Sequence, residues 1–220
     1  MIDKRNIFKT WTTPNKKRIT EFTKGFLLMA SLCVITHLIL PKLSNSSWQL
    51  LDELSLNKLM HSVYYDLNSV VFEELIFRGV PLYLLVRHLS SGCGILISAS
   101  LFGIYHWFTN GVLDNVPAML LVFVVTGFMG YVFAISYVKT KSIILPLGLH
   151  LGWNLTNHNI FSNGPNGVMI FEAIGQTELS NSNQLVAFIM YAIVIVIALF
   201  FVKSKFITEQ KSTIANNVKK

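Results

Sequence analysis

Chemistry in this chain begins with a few ionisable side chains set among apolar ones. Val71-Phe72-Glu73-Glu74-Leu75-Ile76-Phe77-Arg78-Gly79 puts two adjacent carboxylates and a guanidinium into a mostly apolar run from Val70 to Leu89. Charges at membrane depth are costly, so they need partners and usually mark a functional site. On a helix Glu74 and Arg78 lie at i and i+4 with the acid N-terminal, the better order for an ion pair. Glu73 is turned by about 100° from Glu74. Arg78 therefore neutralises Glu74 locally, and Glu73 is left with no evident partner in its own helix. Further along are His106 and the pair His150 and Asn154, which share a helix face at i and i+4.

Composition sets the class around these residues. The 220 residues are 52% hydrophobic and 13% charged, with a mean hydropathy of +0.53, whereas soluble domains carry about 25% charged residues. Apolar stretches long enough to cross a bilayer recur along the chain. The expected fold is an all-α polytopic membrane protein, about six transmembrane helices in one bundle with a polar intramembrane cavity. Cys33 and Cys93 stand far apart in apolar context and suggest neither a disulfide framework nor a metal knuckle. Residues 1–24 lack an apolar core with a small-residue cleavage site, so no cleavable signal peptide is expected.

Three segments are expected: a basic cytoplasmic N-terminal stretch 1–24, a membrane bundle 25–203 with its catalytic core at about 69–160, and a basic cytoplasmic tail 204–220. Helix one spans about Phe22–Leu40 and stops at Pro41. Residues 41–68 are mixed, with leucines that hint at a helix lying on the membrane surface. Helix two, about Ser69–Leu89, holds the acidic motif, and Pro81 frees the Phe77 carbonyl and kinks the helix just past Arg78. Helices three to six cover about Ile95–Phe108, Val116–Val138, Ser142–Ile160 and Gln184–Val202, with a loop at 161–184.

Basic residues fix the expected orientation. They crowd the N-terminal stretch, the turns at Arg87, Lys139 and Lys141, and the tail, while the opposite loops hold Lys42 and Lys58. Both termini are then cytoplasmic in a multi-pass cell-membrane protein. The net charge of +7 reads as attraction to the inner leaflet, with no nucleic-acid partner. In this arrangement Glu73, His106, His150 and Asn154 all fall within about 15 Å of one face, at 1.5 Å of rise per residue, and can line one polar cavity. His158 continues the His150 stripe but reads as interfacial, and His37, His61 and His88 show no partner pattern.

Three motifs stand in order on separate helices: Glu73-Glu74-x-x-x-Arg78, Phe102-x-x-x-His106 and His150-x-x-x-Asn154. With them the chain resembles the CAAX-processing and bacteriocin-processing (CPBP, or Abi) family of intramembrane endopeptidases, over roughly Ser69–Ile160. Peptide hydrolysis needs an activated water, a proton for the leaving amine and donors to an oxyanion. Glu73 is the candidate base, His106 can share the water, and His150 with Asn154 can donate to the oxyanion. The resemblance implies the same division of roles, with Glu74 and Arg78 as orienting residues.

The expected partners are a peptide or protein substrate reaching the site from the membrane, and the lipid bilayer. No cofactor is favoured. Zinc on Glu73, His106 and His150 is the metal alternative, since two histidines and a carboxylate with water form a plausible catalytic set. The non-enzymatic alternative is a bacteriocin self-immunity or scaffold protein of the same fold. A transporter is disfavoured by the lack of repeats and paired broken helices.

Overall fold

The computed structural model describes residues 16–43, 45–161, 165–167, 170–175 and 181–218, with side chains in the last stretch described over 183–204. Residues 1–15 of the expected N-terminal segment lie outside the described residues. Element order is α1 (Lys16–Leu43), β1 (Ser47–Leu50), α2 (Leu56–Arg78), α3 (Val80–His88), α4 (Ser91–Thr109), α5 (Val116–Thr140), α6 (Ile144–Leu155), a π-helical turn (Thr156–Ile160), β2 (Phe171–Ile174) and α7 (Asn181–Val218). The fold is an all-α membrane bundle carrying one small two-stranded ribbon. Among the described residues, α1, α4, α5 and the Asn183–Ser204 part of α7 are long and apolar enough to cross a membrane. The remaining expected spans are α2 with α3, which hold the charged motif, and the short α6 with its π turn.

Several local boundaries differ from those read in the sequence, each for a physical reason. Pro41 does not stop α1, which runs on to Leu43. A proline lacks the N–H that would bond the carbonyl four residues back, and here Trp48 Nε1 donates to that His37 carbonyl at 2.6 Å. The segment before Ser69 is not a separate surface helix. Ser55 caps α2 by accepting from the Lys58 amide, and the helix continues unbroken into the acidic motif. The expected loop at 161–184 contains β2, which pairs antiparallel with β1 from Ser47↔Ile174 to Leu50↔Phe171.

The break after Arg78 falls at Gly79, between α2 and α3. A Cβ at Gly79 would lie 2.2 Å from the Leu75 carbonyl oxygen, so only glycine lets the chain pass that close. Pro81 then sits in the first turn of α3, where proline is tolerated. The Phe77 carbonyl that it leaves without an amide is bonded by Ser98 Oγ of α4 at 3.0 Å. The kink is thus stitched to α4.

Packing orients the polar faces inward. At Gly148 and Gly152 an added Cβ would lie 2.4 and 2.3 Å from the Phe22 and Phe26 carbonyl oxygens. This small-xxx-small contact seats α6 directly on the α1 backbone. His150 projects from the opposite side of α6. The apolar core joins Met29, Leu32, Phe102, Val132, Phe133, Leu145, Leu149, Val194, Ile195, Ala198 and Val202. On α2 the pattern is inverted relative to a soluble helix. Met60, Tyr64, Leu67, Val71 and Leu75 are exposed, while Ser62, Asp66, Glu73 and Glu74 are buried. Such a helix suits lipid outside and a polar interior.

Candidate active site

The acidic motif is built by one turn of α2. Arg78 Nη1 donates to Glu74 Oε1 at 3.1 Å, and both side chains are fully buried. The guanidinium also donates to the Gly130 carbonyl at 3.4 Å and lies over the Phe102 ring, 4.1 Å from its centroid. This pairing is the one that the i, i+4 spacing predicts. Glu73, in contrast to the sequence reading, has a partner in its own helix: Ser69 Oγ donates to Oε1 at 3.1 Å. Its other oxygen, Oε2, is buried with no hydrogen-bond partner among the described residues.

His150 connects the two carboxylates. Its Nδ1 lies 2.9 Å from Glu74 Oε1, and its Nε2 lies 3.9 Å from Glu73 Oε2. A carboxylate can only accept, so Nδ1 carries the hydrogen and Nε2 is turned to Glu73. The gap at Nε2 is too long for a direct hydrogen bond and of the size that a bridging water spans. The imidazole is clamped by Phe133, stacked at 4.9 Å, and by the edge of Phe102 at 5.8 Å.

His106 is set by its own helix. Its Nδ1 donates to the Phe102 carbonyl at 2.8 Å, which leaves Nε2 for the cavity. The phenylalanine of the second motif therefore does three things at once. Its carbonyl fixes the His106 tautomer, its ring covers Arg78, and its edge meets His150.

Glu73, His106, His150 and Asn154 all line one cavity of about 600 Å³. Tyr105, Asn157 and Trp153 also face it, and Tyr191 reaches it from α7. One residue missed in the sequence reading belongs here. Asp66, 1% exposed, binds His158 Nδ1 at 2.7 Å and Asn159 Nδ2 at 2.7 Å. Asp66 lies seven positions before Glu73, two helical turns, which is the signal that could have found it. His158 is thus no simple interfacial residue, since it is paired to a buried acid and lines the cavity. His37 likewise has a partner, with Nε2 2.7 Å from Asn157 Oδ1. No partner is described for His61 or His88.

Zinc would need three protein ligands at about 2.0–2.2 Å from one point. No three His, Cys, Asp or Glu side chains among the described residues are gathered in that way. The ligand set of Glu73, His106 and His150 is not assembled around one point.

A buried pair of carboxylates, two oriented imidazoles and an amide thus meet around one cavity. A family model described as type II CAAX prenyl endopeptidase, Rce1-like, matches residues 55–156, the segment that holds Glu73, Glu74, Arg78, His106, His150 and Asn154. That match, together with the three motifs it contains, supports a CAAX/CPBP-family intramembrane protease. No curated protein and no solved structure matches the chain.

Proposed function

We propose that the protein is an intramembrane endopeptidase that cleaves a peptide bond with water activated by Glu73. The observation that carries this reading is the unpartnered Oε2 of Glu73, on a cavity-lining side chain only 6% exposed, 3.9 Å from His150 Nε2. Leaving a buried acceptor unsatisfied costs about 1–3 kcal/mol, and more for a charged group. A site that keeps such an atom open beside a cavity has a use for it.

Each residue has a distinct part in the reaction. A water between Glu73 Oε2 and an imidazole Nε2 donates one O–H to each and keeps a lone pair for the scissile carbonyl carbon. As that C–O bond forms, Glu73 takes the proton. The oxyanion accepts from the Asn154 amide. Collapse breaks the C–N bond, and Glu73 returns its proton to the leaving amine. Glu74 orients His150 through Nδ1, and Arg78 holds Glu74. Ser69 fixes the Glu73 rotamer.

The substrate is a peptide or protein segment entering from the bilayer, and no metal is required. With the basic flanks cytoplasmic, the Asp66 end of the cavity opens toward the outer leaflet. Membranes carrying wild-type protein or Glu73→Gln, compared by proteomics, test the reading. A substrate that accumulates uncut with the variant is expected, because loss of a general base removes about 10²–10⁴ in rate. Wild-type turnover by folded Glu73→Gln would overturn it in favour of a non-catalytic immunity or scaffold protein.

A further inference from the structure

The same cavity holds a second carboxylate–histidine pair that the hydrolytic machinery does not use. Asp66 accepts from His158 Nδ1 and from Asn159 Nδ2, both at 2.7 Å. With Nδ1–H committed to the acid, the opposite ring nitrogen of His158 is left for the cavity that it lines. The pair is reproduced in register with the catalytic one. Asp66 and Glu73 are seven residues apart on α2, while His158 and His150 are eight apart on the helix opposite. The extra residue is absorbed by the π turn, whose Phe161 amide bonds the Thr156 carbonyl at 3.2 Å. A π turn inserts one residue into a helix and re-aims the side chains beyond it, often at a functional site. Without it, Asn157 would stand opposite Asp66.

The separation has a chemical meaning. Seven residues of helix span about 10 Å at 1.5 Å each. An extended peptide covers that distance in about three residues at 3.3 Å each. The lining around the pair offers neutral hydrogen-bonding groups, Tyr65, Asn110 and Asn157, with no lysine or arginine among the described cavity residues. It suits main-chain amides, not an anionic group. His158 also lies beyond the 55–156 segment matched by the family model.

We propose that His158, held by Asp66, is a substrate-binding residue that accepts a main-chain N–H about three residues from the scissile bond. The pair thereby sets a minimum length of chain on that side of the cut. This rests on the reading of the protein as a peptidase.

The test uses full-length protein in liposomes and quenched-fluorescent peptides built around a CAAX sequence farnesylated on its cysteine, the substrate class of the matched family. One series varies the residues before the cut from one to five, and the other varies those after it. His158→Ala is expected to raise KM roughly 3- to 10-fold, the worth of one hydrogen bond, once the chain reaches about three residues on one side, with kcat held. His158→Gln, which can still donate to Asp66 and accept with Oε1, should restore most of the affinity. Should the alanine variant fail to accumulate, Asp66→Asn is read in the same series and should show the same length step, smaller. A penalty independent of peptide length, or a fall in kcat at unchanged KM, overturns the subsite while leaving the peptidase intact. If wild-type protein cuts no peptide of either series, the peptidase reading falls and the subsite with it.

Discussion

Glu74 offers the sharpest test of the site, because one of its oxygens serves two partners. Oε1 accepts from Arg78 at 3.1 Å and from His150 at 2.9 Å, in a place where acid and guanidinium are both fully buried. Glu74→Gln keeps the shape and one acceptor but removes the charge. Breaking a buried pair from one side costs about 3–5 kcal/mol. The lower end applies here, since the amide oxygen still accepts one bond, and the Phe102 ring under the guanidinium is present before and after. A loss of about 3 kcal/mol lowers Tm by about 6–12 °C in a chain of this size. Activity should fall separately. An imidazole that loses its orienting carboxylate can take the wrong tautomer, a change worth about 10⁴ in kcat in a Ser–His–Asp triad. The expectation is therefore a loss of about 10²–10⁴ per folded molecule.

The double variant Glu74→Gln/Arg78→Met separates the two effects. Replacing a whole buried ion pair by a neutral one is often harmless to stability, so Tm should return most of the way. Turnover should not, because His150 Nδ1 still lacks its carboxylate. The measurements are thermal unfolding in detergent micelles and cleavage normalised to folded protein. Stability and turnover recovering together would refute the reasoning and reduce Glu74 to a counter-ion for Arg78.

Two further outcomes are expected. Asn154→Ala should cost about 10²–10³ in rate, as loss of an oxyanion donor does, and chelators should leave wild-type activity in place. A purified protein that is silenced by a chelator, revived by one equivalent of zinc and indifferent to Asn154→Ala would make the enzyme a metalloprotease. Ser98→Ala should destabilise by about 1–3 kcal/mol, because the Phe77 carbonyl beside Pro81 then has no donor, whereas Ser98→Thr should stay near wild type. An unchanged melting curve for the alanine variant would show that the kink needs no support from α4.

Much of this protein is legible in its sequence, for reasons that are local. Hydropathy and charge frequency mark a helical membrane protein, since burial in lipid acts residue by residue. The Glu74–Arg78 pair and the shared face of His150 and Asn154 follow from helical periodicity alone. The three motifs carry the family resemblance, and the matched segment 55–156 contains them. Pro81 marks a kink, although the glycine two residues earlier is where the helix breaks.

The tertiary structure decided what depends on how one helix is turned and set against another. Nothing in the chain order says that His150 will meet Glu74 as well as face Glu73, because that contact joins residues far apart in sequence. The carbonyls freed by Pro41 and Pro81 find donors in Trp48 and Ser98, which lie on other elements. The place of Asp66 opposite His158 rests on a single π turn, and helical periodicity carried through residues 156–160 would have put Asn157 there instead. Short-range spacing fixes which side chains share a face. The depth and rotation of each face come from packing, here from Gly148 and Gly152 pressed on α1 and Phe102 wedged between Arg78 and two histidines.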